Sequence, residues 1–217
     1  MELMHINNLS KRYGELEVLN DINLDFHQGA TYGLVGENGA GKTTLFNCIM
    51  GLTDYQGEVT HAKDLSIGYM PADAFFYPLI TAKEHIEFCV KAKGMSIDEE
   101  EIQRLNQVFE LPLNRFASRF STGMKKKLAF MTLLLQKNDL MILDEPFNGV
   151  DLKGCIKMRN IIKEAKAEGK TFIISSHQIA ALHEICDSID FLCQHSIKKR
   201  YKDESVEEIE EDILKMI

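Results

Sequence analysis

The sequence predicts an α/β fold with a mostly parallel sheet flanked by helices, an N-terminal antiparallel β part and an inserted helical block. Strand and helix patterns alternate along the chain, which is typical of a parallel sheet. Residues 140–143 form an all-apolar run, as in strands buried on both faces. Two capping-box patterns lie close together between residues 81 and 99 and predict the helical block. At 217 residues the chain suits one folding unit.

Composition excludes several classes of protein. The hydrophobic share of 45% and the charged share of 27% are those of a globular domain. A formal net charge of −8 has the wrong sign for a general attraction to nucleic acid or anionic lipid. The longest apolar run, at 128–135, is far shorter than the roughly 20 residues that a bilayer requires. We therefore expect neither nucleic-acid binding nor direct membrane insertion.

The N-terminal residues and the cysteines indicate a cytoplasmic protein. No basic region followed by an apolar stretch opens the sequence, so a secretory signal is not expected. The five cysteines are odd in number and scattered, and no two form a Cys-x-x-Cys pair. This argues against both a disulfide framework and a zinc site, and we expect reduced thiols. Any contact with a membrane would then come through a partner.

In the first half of the chain, helix starts are the clearest local signals. Thr81 with Glu84, and Ser96 with Glu99, form the two capping boxes. The helical stretches that they open extend to about residue 110. Alternating or β-prone apolar runs predict strands at 18–26, 31–35 and 65–69, and a helix pattern occupies 42–50.

The second half continues the alternation of strand and helix. The three neighbouring lysines at 125–127 are interpreted as a solvated helix face, which is the usual meaning of a charge run. Helices are predicted at 123–136, at 152–168 and at 179–186, and strands at 140–143 and 171–175.

The C-terminal tail is predicted to be an amphipathic helix. It opens with a third capping box, formed by Ser205 and Glu208. Two interpretations stay open, a helix that packs on the parent domain and a helix that binds a partner. Its apolar face is predicted to hold Val206, Ile209, Ile213 and Ile217.

Residues 36–43 match the phosphate-binding pattern G-x-x-x-x-G-K-[ST] at every fixed position, between a strand and a helix. The glycines let successive backbone N–H groups turn toward a polyphosphate, and the helix adds its positive N-terminal end. Lys42 would bridge the β- and γ-phosphates of ATP, and the Thr43 hydroxyl would ligate Mg²⁺. The fold is therefore expected to be that of a P-loop NTPase.

Asp144 and Glu145 follow the apolar run at 140–143 and supply the second half of a nucleotide site. In parallel sheets ligands bind at the carboxyl ends of the strands, where these two carboxylates are expected to lie. Asp144 is placed to hold the magnesium ion. Glu145 is suited to accept a proton from an attacking water, because a carboxylate beside metal and phosphate can act as a general base.

Beyond these motifs the chain resembles the ABC ATPase family over essentially its whole length. Residues 120–124, Phe-Ser-Thr-Gly-Met, stand where that family carries its Leu-Ser-Gly-Gly-Gln signature, ahead of a helix. The resemblance implies that Ser121 and Gly123 contact the γ-phosphate of ATP bound to the opposite subunit.

Three further residues extend the resemblance. Asp151 looks like the acidic residue of the family's D-loop, His177 like its switch histidine, and Tyr13 like the aromatic residue that stacks on adenine. The catalytic residues are then expected to be Lys42, Glu145 and His177. The nucleotide-binding residues are expected to be Tyr13, Gly36, Asn38, Gly39, Ala40, Gly41, Lys42, Thr43, Thr44, Ser121, Gly123 and Asp151.

Two positions depart from the family pattern. The family usually has glutamine after Gly-Tyr-Leu-Pro, whereas here Ala72 and then Asp73 follow the proline. A side chain that normally reaches metal and water is therefore missing. Asp73 is our candidate for a substitute metal ligand beside Thr43 and Asp144, and the alternative is a solvated loop residue. Thr122 replaces the first signature glycine. Because neither departure removes Lys42, Asp144, Glu145 or His177, we expect a competent ATPase with slow or atypical coupling.

Two functions fit the resemblance. In the first, two such subunits, a homodimer or a pair of ABC chains, sandwich two ATP molecules and drive separate membrane subunits. Residues 75–79 and 81–88 are similar to the corresponding stretch of ABC-2-type exporters, which favours export. The protein would then be attached to the inner face of the cell membrane through these membrane subunits. In the second, a soluble ABC ATPase remodels ribosomes, DNA or protein complexes, but such chains normally join two cassettes or carry a long coiled coil.

We expect one domain, 1–217, with a nucleotide-binding core at 1–72 and 139–217 and a helical subdomain with the signature at 73–138.

Overall fold

The computed structural model describes residues 1–216, which hold nine strands and seven α-helices. The strands are β1 (Glu2–Tyr13), β2 (Leu16–His27), β3 (Thr31–Val35), β4 (Gln56–His61), β5 (Ile67–Met70), β6 (Leu140–Asp144), β7 (Thr171–Ser176), β8 (Ser188–Cys193) and β9 (Ser196–Tyr201). The helices are α1 (Lys42–Ile49), α2 (Ala82–Ala92), α3 (Glu99–Phe109), α4 (Thr122–Leu135), α5 (Leu152–Ala167), α6 (Ile179–His183) and α7 (Val206–Leu214).

A six-stranded sheet forms the centre of the fold, in the order β5-β6-β7-β3-β8-β9. Its first five strands run parallel, and β9 adds an antiparallel edge. Strands β3, β6 and β7 are buried along their whole length, and for β6 this confirms the prediction from the apolar run at 140–143. Asp144 pairs in register with Ser175, and Val35 with Ser176, so the carboxyl ends of three strands meet at one edge. That edge is where such sheets bind ligands.

The N-terminal strands form the predicted antiparallel sheet, in the order β2-β1-β4. Its inward residues belong to a hydrophobic cluster that also contains α1 and the central strands. Within that cluster Ile6, Phe46 and Ile142 come from β1, α1 and β6, and all three are fully buried. Helix α1, which follows the phosphate-binding loop, is thus held between the two sheets.

Helices α2, α3 and α4 pack together within residues 73–138. The capping box at Thr81 and Glu84 is confirmed, since each side chain binds the backbone N–H of the other residue. The prediction that Ser96 caps the next helix was wrong. Asp98 is the cap, and its carboxylate accepts a hydrogen bond from the Glu101 N–H at 3.0 Å. Ser and Asp both cap helices well, and the pattern alone could not separate them.

The C-terminal helix packs on the parent domain through Ile209, which is 1% exposed. Its predicted capping box, Ser205 with Glu208, is present. Val206 and Ile213 are half-buried on the same helix, and the predicted contribution of Ile217 lies outside the described residues. Within residues 1–216, no helix combines the length and apolar character that a bilayer crossing needs.

Several elements differ from the sequence-based expectation. Strands β1, β4, β8 and β9 had no predicted bounds, β5 begins two residues later than expected, and α6 ends at His183. In β1 the alternation is interrupted by register shifts and by the left-handed backbone of Asn8, whose φ is 50°.

The interpretation of the three lysines at 125–127 as a solvated face was wrong for Lys126, which is only 5% exposed.

Candidate functional site

The loop at 36–41 joins the end of β3 to the start of α1, and its glycines are required by its shape. Gly41 has a φ of 109°, a conformation that other residues rarely adopt. A Cβ at Gly36 would lie 2.5 Å from the Leu192 carbonyl oxygen. The side chain of Lys42 turns back into this loop, where its ammonium donates to the carbonyls of Gly36 at 2.7 Å and Glu37 at 3.1 Å.

Asp144 is held at the carboxyl edge of the sheet by two hydroxyl groups. Its Oδ2 accepts from the Thr43 hydroxyl at 2.6 Å, and its Oδ1 accepts from the Ser175 hydroxyl at 2.5 Å. The carboxylate is fully buried, so its orientation is fixed by these bonds. A hydroxyl and a carboxylate oxygen this close together are hard donors of the kind that Mg²⁺ prefers, and the residues therefore fit the ion.

Glu145 follows directly in a left-handed conformation, with a φ of 47°. Its N–H donates to the Ser175 hydroxyl at 3.0 Å, and its Oε2 lies 3.0 Å from His177 Nδ1. The other carboxylate oxygen, Oε1, lies 3.4 Å from the Lys42 ammonium and has no hydrogen-bond partner among residues 1–216. This oxygen is buried, and its capacity to accept a hydrogen bond is unused within residues 1–216.

A cavity of about 400 Å³ opens over this edge. Ala72, Lys126, Asn148 and Gly149 line it but were not predicted as site residues, and neither was Thr122. The predicted site residues that line it are Asn38, Gly39, Gly41, Lys42, Thr43, Thr44, Asp73, Asp144 and Glu145.

The other predicted site residues lie outside the lining of this cavity. Gly36 lies beneath the loop against Leu192, and Ala40 faces a neighbouring cavity beside the β8–β9 turn. Within residues 1–216, the side chain of His177 contacts the site through its hydrogen bond with Glu145. Tyr13 is 49% exposed at the end of β1, with the Lys11 ammonium 4.5 Å from the centre of its ring.

Ser121, Gly123 and Asp151 also lie outside the lining of this cavity, although Thr122 of the signature segment belongs to it. Ser121 is an exposed helix cap, whose hydroxyl accepts from the Met124 N–H at 3.3 Å. Gly123 is buried so close to Gly149 that a Cβ would lie 2.7 Å from its carbonyl oxygen. Asp151 is bound by the Lys127 ammonium at 2.7 Å, a hydrogen bond that lowers the pKa of this carboxyl group.

Sequence reasoning missed two residues that hold Asp144 and Glu145 in place. Ser175 binds both Asp144 and Glu145, and its signal was available, since it lies next to Asp144 in a strand already expected to be parallel. Lys126 donates from α4 to the Glu145 carbonyl oxygen. Its signal was masked, because it lies within a run of lysines that resembles a solvated face.

Comparison with known proteins identifies the family. A family model described as "ABC transporter" matches residues 19–148. The chain belongs to this family. The lantibiotic transport ATP-binding protein SrtF of Streptococcus pyogenes is 32% identical over 218 residues, which cover 96% of this chain and 95% of that protein. The bacitracin transport ATP-binding protein BcrA of Enterococcus faecalis is 32% identical over 197 residues, 84% of this chain and 63% of that protein.

A solved structure agrees with the sequence relatives. The chain described as the ATP-binding subunit of an ABC transporter superposes with a TM-score of 0.84 at 29% identity, covering 97% of this chain and 93% of that chain. The expected P-loop fold and ABC membership are therefore confirmed. As an ABC transporter ATP-binding subunit, the protein binds ATP and hydrolyses it.

Proposed function

We propose that this ABC subunit energises export through separate integral membrane subunits, with cargo of the lantibiotic or bacitracin kind. The end-to-end likeness to the lantibiotic transport protein SrtF is the observation that carries the proposal. The likeness to the bacitracin transport protein BcrA supports the same class of cargo. Selection of one compound would belong to the membrane subunits.

In this proposal the phosphates of ATP bind along residues 36–44 through backbone N–H groups and the N-terminus of α1. Lys42 supplies the neutralising charge for the β- and γ-phosphates. Its side chain is 6% exposed, and its ammonium lies against the carbonyls of the phosphate-binding loop. Tyr13 has an exposed ring for stacking on adenine.

Thr43 and Asp144 are the proposed protein ligands of Mg²⁺, which when bound would offset the negative charge of the phosphates. Ser175 occupies one oxygen of Asp144, so the other is directed toward Thr43 and the cavity. Asp73 is the proposed additional ligand. It is exposed at the cavity wall, and its charge reaches the neighbouring Lys126.

Hydrolysis requires a group that accepts the proton of the attacking water, and we assign this role to Glu145. The Glu145 side chain is 13% exposed and lines the cavity, which supports contact with a water there. His177 binds one of its oxygens and would fix the orientation of the other. The Lys42 ammonium lies beside Glu145 Oε1. Its positive charge would stabilise both the phosphate and the attacking water at that position.

A second copy of the chain, or a paired ABC subunit, would complete the site. Ser121, Gly123 and Asp151 lie outside the lining of the chain's own cavity, although the family resemblance assigns them to ATP. Ser121 is exposed and available to a partner. Closure of two such chains around two ATP molecules would bring each signature segment to the opposite nucleotide.

A cluster of exposed aromatic and aliphatic side chains is the proposed docking surface for the membrane subunit. Phe75 is 72% exposed, Tyr77 55%, Leu79 73% and Phe88 57%. The rings of Phe75, Tyr77 and Phe88 form a chain with centroid distances of 5.2 and 6.2 Å. Apolar surface of this kind marks interaction sites. Attachment here would hold the protein at the inner face of the cell membrane.

The same loop would transmit the ATP state to the membrane subunit. Ala72 and Asp73 line the nucleotide cavity, and the docking surface begins two residues later. We assign residues 73–138 to a helical subdomain that moves with this loop against the core at 1–72 and 139–217.

Membrane pull-down tests the proposal. Wild-type protein should copurify from solubilised membranes with an integral membrane subunit, and a Phe75→Ser, Tyr77→Ser double variant should lose that partner while hydrolysing ATP normally in isolation. Leu52→Ser is the matched control, because Leu52 is 66% exposed outside this cluster. Retention of the membrane partner by the double variant would rule out this docking surface. A wild-type protein that retains no membrane subunit would contradict the transport proposal itself.

A further inference from the structure

Lys126 is a buried cation at the nucleotide cavity, and the steps of ATP binding and hydrolysis proposed above do not use it. It lies on the second turn of α4, five residues after Ser121, and is 5% exposed. Its neighbours differ from it, since Lys125 and Lys127 are half-buried and Lys127 binds Asp151. Burial of an ammonium is unfavourable unless the group is bound, so its contacts indicate what it does.

The only hydrogen-bond partner of the Lys126 ammonium within residues 1–216 is the backbone carbonyl of Glu145. That carbonyl also accepts a long bond of 3.3 Å from the Asn148 N–H. The contact matters because Glu145 has a left-handed backbone, which costs a non-glycine residue energy and needs support from its surroundings. Lys126 provides such support from helix α4.

Glu145 is thus held at four points. Ser175 holds its N–H, His177 and Lys42 lie against its two carboxylate oxygens, and Lys126 holds its carbonyl. The first three come from the nucleotide-binding core, and only Lys126 comes from the helix that begins at the signature segment. The position of α4 is therefore connected to the backbone of Glu145 by a single side chain.

Electrostatics make this contact sensitive to the charge of the lysine. The charged groups that act on the ammonium are Glu145 and Asp144 at the end of β6 and Asp73 in the loop after β5. Within residues 1–216 none of them forms an ion pair with it at 4.0 Å or less. Burial lowers the pKa of Lys126, and the three carboxylates raise it by less. The proton is thus held more weakly than in an ordinary lysine.

We propose that Lys126 is a positioning residue for the general base, which aligns Glu145 for proton transfer when α4 is seated against the core. The proposal rests on the assignment of Glu145 made above. It gives the signature helix a direct route to the base, because a displacement of α4 by a partner's nucleotide would move the Lys126 ammonium. Lys126 acts on the orientation of Glu145 and does not hold the phosphates.

Three variants test this role, namely Lys126→Met, Lys126→Arg and the matched control Lys125→Met. Lys126→Met should lower kcat by about 10-fold to 100-fold, the range expected for a misplaced catalytic group, while KM and the rise in Tm with Mg·ATP stay at wild-type values. Lys126→Arg should recover most of the rate. Lys125→Met should behave as wild type, since within residues 1–216 Lys125 makes no ion pair and is not buried.

The pH profile separates positioning from mere packing. The charged form of Lys126 is lost as the pH rises through its lowered pKa, so kcat of the wild type should fall on the alkaline side. In Lys126→Arg this fall should move to higher pH, because a guanidinium keeps its proton. If Lys126→Met does not fold, the shift in Lys126→Arg decides alone, and an unmoved alkaline limb overturns the proposal.

The remaining outcomes distinguish this inference from the function on which it rests. A wild-type kcat in Lys126→Met overturns the positioning role if Glu145→Gln is slow in the same assay. A wild-type rate in Glu145→Gln shows instead that the general base was wrongly assigned. Loss of the Tm rise with Mg·ATP in Lys126→Met makes Lys126 a nucleotide-binding residue and also overturns the proposal.

Discussion

Two regions border the same cavity and are built in opposite ways. At the carboxyl ends of β6 and β7, Asp144 is fully buried and both of its oxygens are bound by hydroxyl groups of the chain. In the loop after β5, Asp73 is exposed and its side chain makes no hydrogen bond within residues 1–216. Two residues further on, Phe75 is 72% exposed.

The difference separates chemistry from coupling. Groups that stabilise developing charge work best when they are oriented before the reaction. The carboxyl edge of the sheet that holds Asp144 and Glu145, here called the acid edge, has that property. A surface that follows a partner must be free to move, and exposed loops with few internal bonds have that property. We therefore expect substitutions at the acid edge to change chemistry strongly and substitutions in the loop to change rates less.

The largest effect is expected for Glu145→Gln. The amide cannot accept the proton of the attacking water, so hydrolysis should slow by roughly 10²-fold to 10⁴-fold. Binding of Mg·ATP should persist, because Thr43, Asp144 and Lys42 are unchanged, and trapped ATP should favour the dimer. Single-turnover kinetics and light scattering measure the two effects. A variant as fast as the wild type would transfer the role of the base to another group, with His177 as the next candidate.

The second effect concerns binding and is tested by Lys42→Ala. A ligand at 100 times its Kd stabilises a protein by about 2.7 kcal/mol, so Mg·ATP should raise the Tm of the wild type by several degrees. Removal of the buried ammonium should abolish most of that rise. Thermal melts with and without Mg·ATP at roughly millimolar concentration measure this rise in Tm. The assigned site would be wrong if the wild type showed no shift, or if the variant kept the full shift.

A smaller effect is expected in the loop. If a missing metal ligand limits hydrolysis, Ala72→Gln should raise the rate by a few-fold, and if Asp73 substitutes for it, Asp73→Ala should lower the rate by a similar factor. A carboxylate can ligate Mg²⁺ directly or through water, yet it also repels the phosphates. Rates measured over a series of Mg²⁺ concentrations separate these terms. Unchanged rates and unchanged Mg²⁺ dependence in both variants would leave this loop with a coupling role only.

The sequence predicts the acid edge better than the loop, and the reason is physical. Lys42 and Thr43 occupy a motif whose spacing is typical of a phosphate-binding loop, and Asp144 ends an all-apolar strand, so the residue types predict that these groups are neighbours. The contact of Ser175 follows from strand register, which needs the order of the strands and not only their existence. Lys126 could not be found, because its burial depends on how α4 packs in the tertiary structure and not on the local pattern.

The smallest effect concerns the anchor of the loop. His85 on α2 is half-buried, and its ring centre lies 4.7 Å from that of Phe76, the buried residue of the loop. Its Nδ1 is buried and has no hydrogen-bond partner within residues 1–216. Burial lowers the pKa of His85, so the unfolded chain takes up a proton at higher pH than the folded one. The contribution of His85 to stability should therefore be fully present above the ordinary histidine pKa and be lost as the pH falls through the lowered one.

We expect the Tm to fall on acidification by no more than about 2–4 °C, the shift that 1 kcal/mol produces in a domain of this size. His85→Leu should remove this part of the pH dependence, while His61→Gln, at an exposed position on β4, should keep it. Parallel melts of the three proteins between pH 7.5 and about pH 5 measure the difference. An unchanged acid slope in His85→Leu would show that the loop anchor does not titrate.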